Sequence, residues 1–305
     1  MDKKLFLYAA GVLLMAACSS NDVDTSEPNV LGEIQLYTEV SQLTRAANGA
    51  VDNLQDTQFT ADTTISVQVT DNAASDPVVV YPLATYKADG NGGLSTETPL
   101  YFPPSGSSVN IYAFHPAGAP ENFSVKTDQS TTKNYVDSDL MWASLSGITK
   151  TSTADERRLQ FTHKLSKVIV SLVKGSGVTD DEINAATISL GTVVYKGTFT
   201  ASTGTFVAAD GNEASNTSTI TIATNAGTSQ HAAIIVPQDV TGKLLTIAMG
   251  GGTQSYTFPE TTFAAGKKYT YVVTVNKTGL NVTTTITDWA TPDGWNTPAN
   301  VDITF

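Results

Sequence analysis

Short stretches of alternating apolar and polar residues recur along almost the whole chain, and few segments carry the spacing of an amphipathic helix. Thr, Val, Ser and Gly dominate these stretches and turn dipeptides separate them, which predicts an all-β fold. The first run is Ile34-Gln35-Leu36-Tyr37-Thr38, followed by a polar, glycine-containing connection over residues 41–49. Further strand candidates lie at 65–69, 78–81, 84–86, 100–102, 109–114 and 140–143, roughly the number that one β-sandwich needs. A charged stretch at 155–158 marks the expected domain boundary, and 159–172 after it is the longest strand candidate. Thr179 and Glu182 have the spacing of a capping box before Ile183, which predicts a helical turn. Strands resume at 187–190, 193–195, 197–200, 205–207, 219–222, 232–236, 244–247, 255–258, 268–275 and 281–286. A last run, 301–305, lies beyond a tail broken by proline and glycine. Two β-sandwiches in tandem are expected.

The first residues follow a different pattern. Lys3 and Lys4 precede an apolar run, 5–15, that is too short to remain as a membrane span. Ala16 and Ala17 then lead into Cys18, the only cysteine. This order resembles a bacterial lipoprotein signal, in which Cys18 becomes the lipidated mature N-terminus; an ordinary secretory signal with a chance cysteine is the alternative. Each buried methylene of a lipid contributes about 0.8 kcal/mol, so two or more chains hold durably where one holds marginally. The polar stretch after Cys18 reads as a tether. Its scattered Asp22, Asp24 and Glu27 make only a loose match to the acidic export signal of Bacteroidetes surface lipoproteins.

Composition narrows the function classes. With 305 residues, of which 40% are hydrophobic, the chain is large enough for two cored domains. A net charge of −12 and a pI near 4.5 argue against nucleic acid and against adsorption to anionic lipid, leaving Cys18 as the membrane attachment. With that cysteine used for lipidation, disulfides, thiolate catalysis and cysteine zinc sites are excluded.

Several segments together carry a family resemblance. They are the lipoprotein-like leader, the first strand followed by Thr44-Arg45, Tyr101-Phe102-Pro103-Pro104, and the 109–116 run Val-Asn-Ile-Tyr-Ala-Phe-His-Pro. The 159–168 run Leu-Gln-Phe-Thr-His-Lys-Leu-Ser-Lys-Val and the closing Ile286-Thr287-Asp288-Trp289 extend it over nearly the whole chain. In order and spacing these segments resemble the fimbrillin-like proteins of Bacteroidetes. The resemblance implies a type V pilus subunit built of two transthyretin-like β-sandwiches and exported as a lipoprotein. It also implies cutting by an arginine-specific protease and assembly with other subunits by β-strand addition. The implied organisation is a signal over 1–18, a tether and removable strand over 19–45, and sandwiches over 46–157 and 158–305. The removed strand would be about 31–37, containing Ile34 and Leu36, and the scissile bond Arg45–Ala46. Arg45 is the only basic residue between Lys4 and Lys87, so a tryptic-type cut in this linker has one place to go; a solvated loop arginine is the alternative. The candidate donor strand is the tail, where Val301, Ile303 and Phe305 share one face; pairing within its own domain is the alternative. That tail is short and interrupted by Pro292 and Pro298, which favours a tip or accessory subunit over a stalk.

Other chemistry is weakly represented. His115, His163 and His231 are far apart and lack metal-ligand spacing, so no metal or cofactor is called for. Asp137 and Asp139 would share a strand face, although an exposed turn suits them better. The stretch from Asp89 begins like a calcium loop but has leucine at its sixth and twelfth positions, and reads as a hairpin turn. No catalytic residue is assigned, and no G-x-S-x-G, Walker or dinucleotide motif occurs. The second function class is a surface lipoprotein that binds glycans through an exposed Trp289 or Trp295, with Trp142 read as core. A host or bacterial surface glycan or protein is the adhesion partner that either class would meet.

Overall fold

The computed structural model describes residues 32–40, 59–72, 78–118, 120–224, 230–250 and 252–289. Its first part contains β1 (Tyr37–Val40), β2 (Thr64–Asp71), β3 (Val78–Ala88), β4 (Leu94–Ser95), β5 (Val109–His115), β6 (Phe123–Ser124), β7 (Met141–Ile148) and β8 (Arg158–His163). All but β6 form one seven-stranded sheet in the order β1-β8-β7-β5-β2-β3-β4. Alternation explains its inner face. Ile65, Val67 and Val69 of β2 and Val109, Ile111 and Ala113 of β5 are buried together with Phe59, Leu159 and Phe161. Phe59 meets Phe161 edge-on, with ring centroids 4.8 Å apart.

The second part contains β9 (Ser166–Lys174), β10 (Thr187–Val194), β11 (Lys196–Thr200), β12 (Thr205–Ala208), β13 (Thr217–Thr221), β14 (Ala223–Thr224) and β15 (Gln230–Ile235). It continues through β16 (Gln238–Asp239), β17 (Leu244–Met249), β18 (Gly252–Thr257), β19 (Thr262–Phe263), β20 (Lys267–Asn276) and β21 (Gly279–Asp288). A five-stranded sheet, β14-β15-β9-β20-β21, and a four-stranded sheet, β13-β10-β17-β18, accompany smaller sheets β12-β11-β6 and β16-β19. Their apolar residues form a second core that includes Val168, Val170, Leu190, Ile220, Ile247, Phe258 and Tyr271. The described chain is all-β, as expected, apart from 3₁₀ turns and two short helices, α1 (Thr132–Val136) and α2 (Asp180–Asn184). Before α2 the capping box forms: the Thr179 hydroxyl accepts from the Glu182 N–H at 3.2 Å, and Glu182 accepts from the Thr179 N–H at 2.8 Å.

Two expectations are corrected. The run 159–172 is two strands in two sheets, broken at Lys164-Leu165. Leu159 and Phe161 face the first core at odd positions, whereas Val168, Val170 and Leu172 enter the second at even ones. One continuous strand cannot change the parity of its inward face. The boundary at 157/158 moves with it, because β8 is hydrogen-bonded into the first sheet and that sheet ends at His163.

The stretch expected to form the first sandwich, 46–157, also lends a segment to the second core. After β5 the chain leaves the first sheet, and β6 pairs with β11 through Ser124↔Lys196 and Phe123↔Gly197. The Val125 N–H donates to the Tyr195 carbonyl (2.8 Å), and the Gln129 N–H to the Thr221 carbonyl (3.0 Å). The fully buried Gln129 side chain accepts from the Ile234 N–H and donates to the Ile234 carbonyl, both at 2.8 Å. β14 covers β15 only at His231 and Ala232, so Gln129 serves as a one-residue continuation of that neighbour. The chain then returns through α1 to β7. There Trp142 donates from Nε1 to the Ala201 carbonyl at 2.7 Å and carries the Lys164 ammonium 4.5 Å from its ring centre. Gly204 (φ +64°) closes this contact, because a Cβ there would lie 2.4 Å from the Trp142 ring.

Replacing Gln129 by leucine leaves the Ile234 N–H and carbonyl without their side-chain partner in a dry interior. The expected cost is about 3 kcal/mol, read as a lower urea midpoint at unchanged slope. A loss under about 0.5 kcal/mol would remove Gln129 from the account of how the cores are joined. Acid acts on a second buried group. Burial pushes the pKa of His231 down to about 4, from about 6.5 in an unfolded chain. Between those values the unfolded state binds the extra proton, so stability is full above about pH 6.5 and falls as pH drops towards 4, by roughly 3 kcal/mol. Burial lowers His115 in the same direction. Urea midpoints measured from pH 7 to pH 4.5 should show this loss, and His231→Leu should make it shallower; an unchanged slope would assign the loss elsewhere.

Candidate functional site

The segment over residues 32–40 is hydrogen-bonded on both flanks. On one side β1 runs parallel to β8, with Tyr37 opposite Arg158 and Val40 opposite Phe161, and the Tyr37 N–H donates to the Arg157 carbonyl at 3.2 Å. On the other it runs antiparallel to residues 92–102. Ile34 N–H donates to the Leu100 carbonyl (2.7 Å), Phe102 N–H to Gly32 (2.9 Å), Leu94 N–H to Leu36 (3.2 Å) and Thr38 N–H to Gly92 (2.7 Å). Bridges Glu33↔Tyr101 and Tyr37↔Gly93 belong to the same wall. The segment therefore joins the β8 edge of the first sheet to the edge beside β4.

Period-two alternation aims its side chains. Ile34, Leu36 and Thr38 are 1%, 2% and 1% exposed, whereas Gln35 and Tyr37 are half-buried and Glu39 is exposed. Ile34 and Leu36 pack in the first core, each stabilising it by about 2 kcal/mol. The turn from Asp89 shapes the antiparallel wall, since its Oδ1 accepts from the Asn91 and Gly93 N–H groups at 2.7 and 2.9 Å. A Cβ on Gly93 would lie 2.4 Å from that carboxylate, so a larger residue there would force the Asp89 side chain to shift. Burial first, and then the Glu33 carboxylate, push the Tyr86 phenol pKa upward.

A second cluster has the outline of a catalytic dyad. His163 Nδ1 lies 2.8 Å from Asp139 Oδ1, and Asp139 is completely buried rather than in an exposed turn. The Trp289 ring stacks on the imidazole at 3.9 Å and 5°, while the Trp289 backbone N–H donates to the Gly266 carbonyl at 2.8 Å. The indole closes one face of the imidazole, so the cluster reads as a joint between the two cores. Asp137 caps α1 and pairs with Lys133.

Of the residues singled out from sequence, Ile34 and Leu36 sit in the inward positions of the first strand. Its β1 ladder extends beyond the expected 31–37 segment, to Val40. Cys18, Arg45, Ala46, Trp295, Val301, Ile303 and Phe305 lie outside the described residues. Trp289 is corrected: at 7% exposure and covered by His163, it offers no platform to a sugar ring. Sequence reasoning took 155–158 for a domain boundary and did not find that it leads into the strand beside β1. The Tyr101-Phe102 segment was recognised, but its place on the opposite wall was not.

Known proteins resemble most of the chain. A family model described as fimbrillin-like matches residues 44–289. A Bacteroides uniformis protein described as a fimbrium subunit, Fim1C, is 24% identical over 255 residues, spanning 75% of this chain and 82% of its own. Two crystal structures described as cell adhesion proteins share the fold at 22% identity. The one from Bacteroides uniformis has a TM-score of 0.65 and covers 85% of this chain and 98% of its own. The one from Bacteroides ovatus has a TM-score of 0.67 and covers 84% and 97%. The chain belongs to the fimbrillin-like family.

Proposed function

We propose that the protein is a stalk or tip subunit of a cell-surface type V pilus, exported as a lipoprotein on Cys18 and activated by a cut after Arg45. Loss of the segment ahead of the cut vacates the place of residues 32–40, and a strand from a neighbouring subunit takes it. One observation carries this reading: a short N-terminal segment pairs on both flanks and places Ile34, Leu36 and Thr38 in the first core. Such a segment is separated from the rest by a single backbone cut, and what it leaves is two unpaired edges around an apolar slot. Main-chain bonding supplies affinity for a new strand, and alternate side chains supply its register. Until then the resident strand masks edges that would otherwise aggregate. The role is structural, and the enclosed His163–Asp139 pair supports that assignment. Glycan binding through Trp289 is withdrawn.

Digesting the non-lipidated chain with an Arg-specific protease should give an early cut after Arg45, read by mass spectrometry. The trimmed chain should release its first strand and take up a labelled peptide of residues 31–41 or a neighbouring subunit's tail. Resistance at Arg45, or a cut chain that neither releases nor takes up a strand, would defeat activation by cleavage there. For export, labelled palmitate should mark the wild-type chain in a lipoprotein-processing bacterium and should not mark Cys18→Ala; equal labelling would place the lipid elsewhere.

A further inference from the structure

The chain has three arginines, Arg45, Arg157 and Arg158. The latter two lie where the first strand docks. β8 pairs with β7 through Met141↔His163 and Trp142↔Thr162, which leaves Arg158, Leu159, Gln160 and Phe161 in ladder register with β1 alone among the described residues. The carbonyl of the Arg157–Arg158 peptide bond accepts the Tyr37 N–H, and the Arg158 guanidinium lies 5.9 Å from the centre of the Tyr37 ring. What remains on the other side is a local turn: Arg157 N–H to the Thr153 and Ala154 carbonyls at 3.2 Å, Arg158 N–H to Asp155 at 3.1 Å, and Arg158 Nη2 to the Asp155 carboxylate at 3.3 Å. Asp155 is itself largely exposed, so that ion pair contributes little.

An endoprotease takes its substrate as an extended strand held by main-chain hydrogen bonds, the bonds that β1 occupies here. We propose that the Arg157–Arg158 bond is a second processing site for an Arg-specific endoprotease, closed while a strand lies beside β8 and open when that place is empty. Water splits the amide, leaving a carboxylate on Arg157 and an amino group on Arg158. The proposal rests on the reading that the first strand is removable, and it adds a consequence. The protease activity that activates a subunit also destroys one whose groove stays unfilled, and spares one that has received a strand.

Arg45→Lys in the full chain leaves Arg157 and Arg158 as the only arginines and so isolates the second site from the first. This variant should resist an Arg-specific protease. Adding Leu36→Asp, which puts a charge into the core and undocks the strand, should speed cutting after Arg157 by at least about tenfold, following the open population. Excess synthetic peptide of residues 31–41 should slow it again. A Lys-specific protease run in parallel checks the fold, because Lys167 and Lys268 are 3% and 5% exposed and should remain uncut. Equal rates in the two variants, or cutting that the peptide does not slow, overturn the proposal. The wild-type digest reports separately on Arg45, so failure of activation there and failure of the guarded site are read in different samples.

Discussion

A sheet edge inside a folded protein must find partners for its N–H and carbonyl groups, and in the first sheet two edges find them in the same segment. Residues 32–40 bond to β8 on one flank and to residues 92–102 on the other. The Asp89 turn with Gly93, the inward Ile34, Leu36 and Thr38, and the Tyr37 bond to Arg157 all follow from that need. Backbone bonding is indifferent to sequence, so the slot is defined by two ladders plus a few side-chain positions. Such a slot would suit the exchange of occupants proposed above, because any strand with the right alternation can meet the ladders.

The joint between the two cores is built the other way. Gln129 fills one position on β15, Trp142 lies against Gly204 and Ala201, and Phe114 meets Phe199 at 5.7 Å. These contacts use particular side chains of particular size, and substitution at any of them leaves a void or an unmet hydrogen bond. The molecule combines a tolerant slot at one place with a specific, closely packed joint at another.

Legibility in the sequence followed the range of the forces involved. The inward pair Ile34 and Leu36 was readable because one-sided burial imposes period two, and the Thr179–Glu182 capping box because it spans a single turn. The break at Lys164-Leu165 was present as a change of parity in the apolar positions, hidden within an unbroken β-rich run. The partners of β1 were not readable, since Tyr37 meets Arg158 across more than a hundred residues and parallel pairing leaves no turn signal between them. Trp289 failed for a related reason: it is covered by His163 from a distant segment, and an indole's surroundings cannot be judged from its neighbours in sequence.

The path of the chain between the cores has a mechanical meaning. Covalent connections pass from one core to the other after β5, back before β7, and forward again after β8. A single linker acts as a hinge, leaving rotation free unless the interface is large and apolar. Three connections restrain that rotation more than one does, and the packed side chains between the cores add to the restraint. Bending the molecule then requires pulling Gln129 or Trp142 out of its seat. The two cores are therefore expected to move as one stiff body, and an assembly of the kind proposed above would bend at the junctions between subunits.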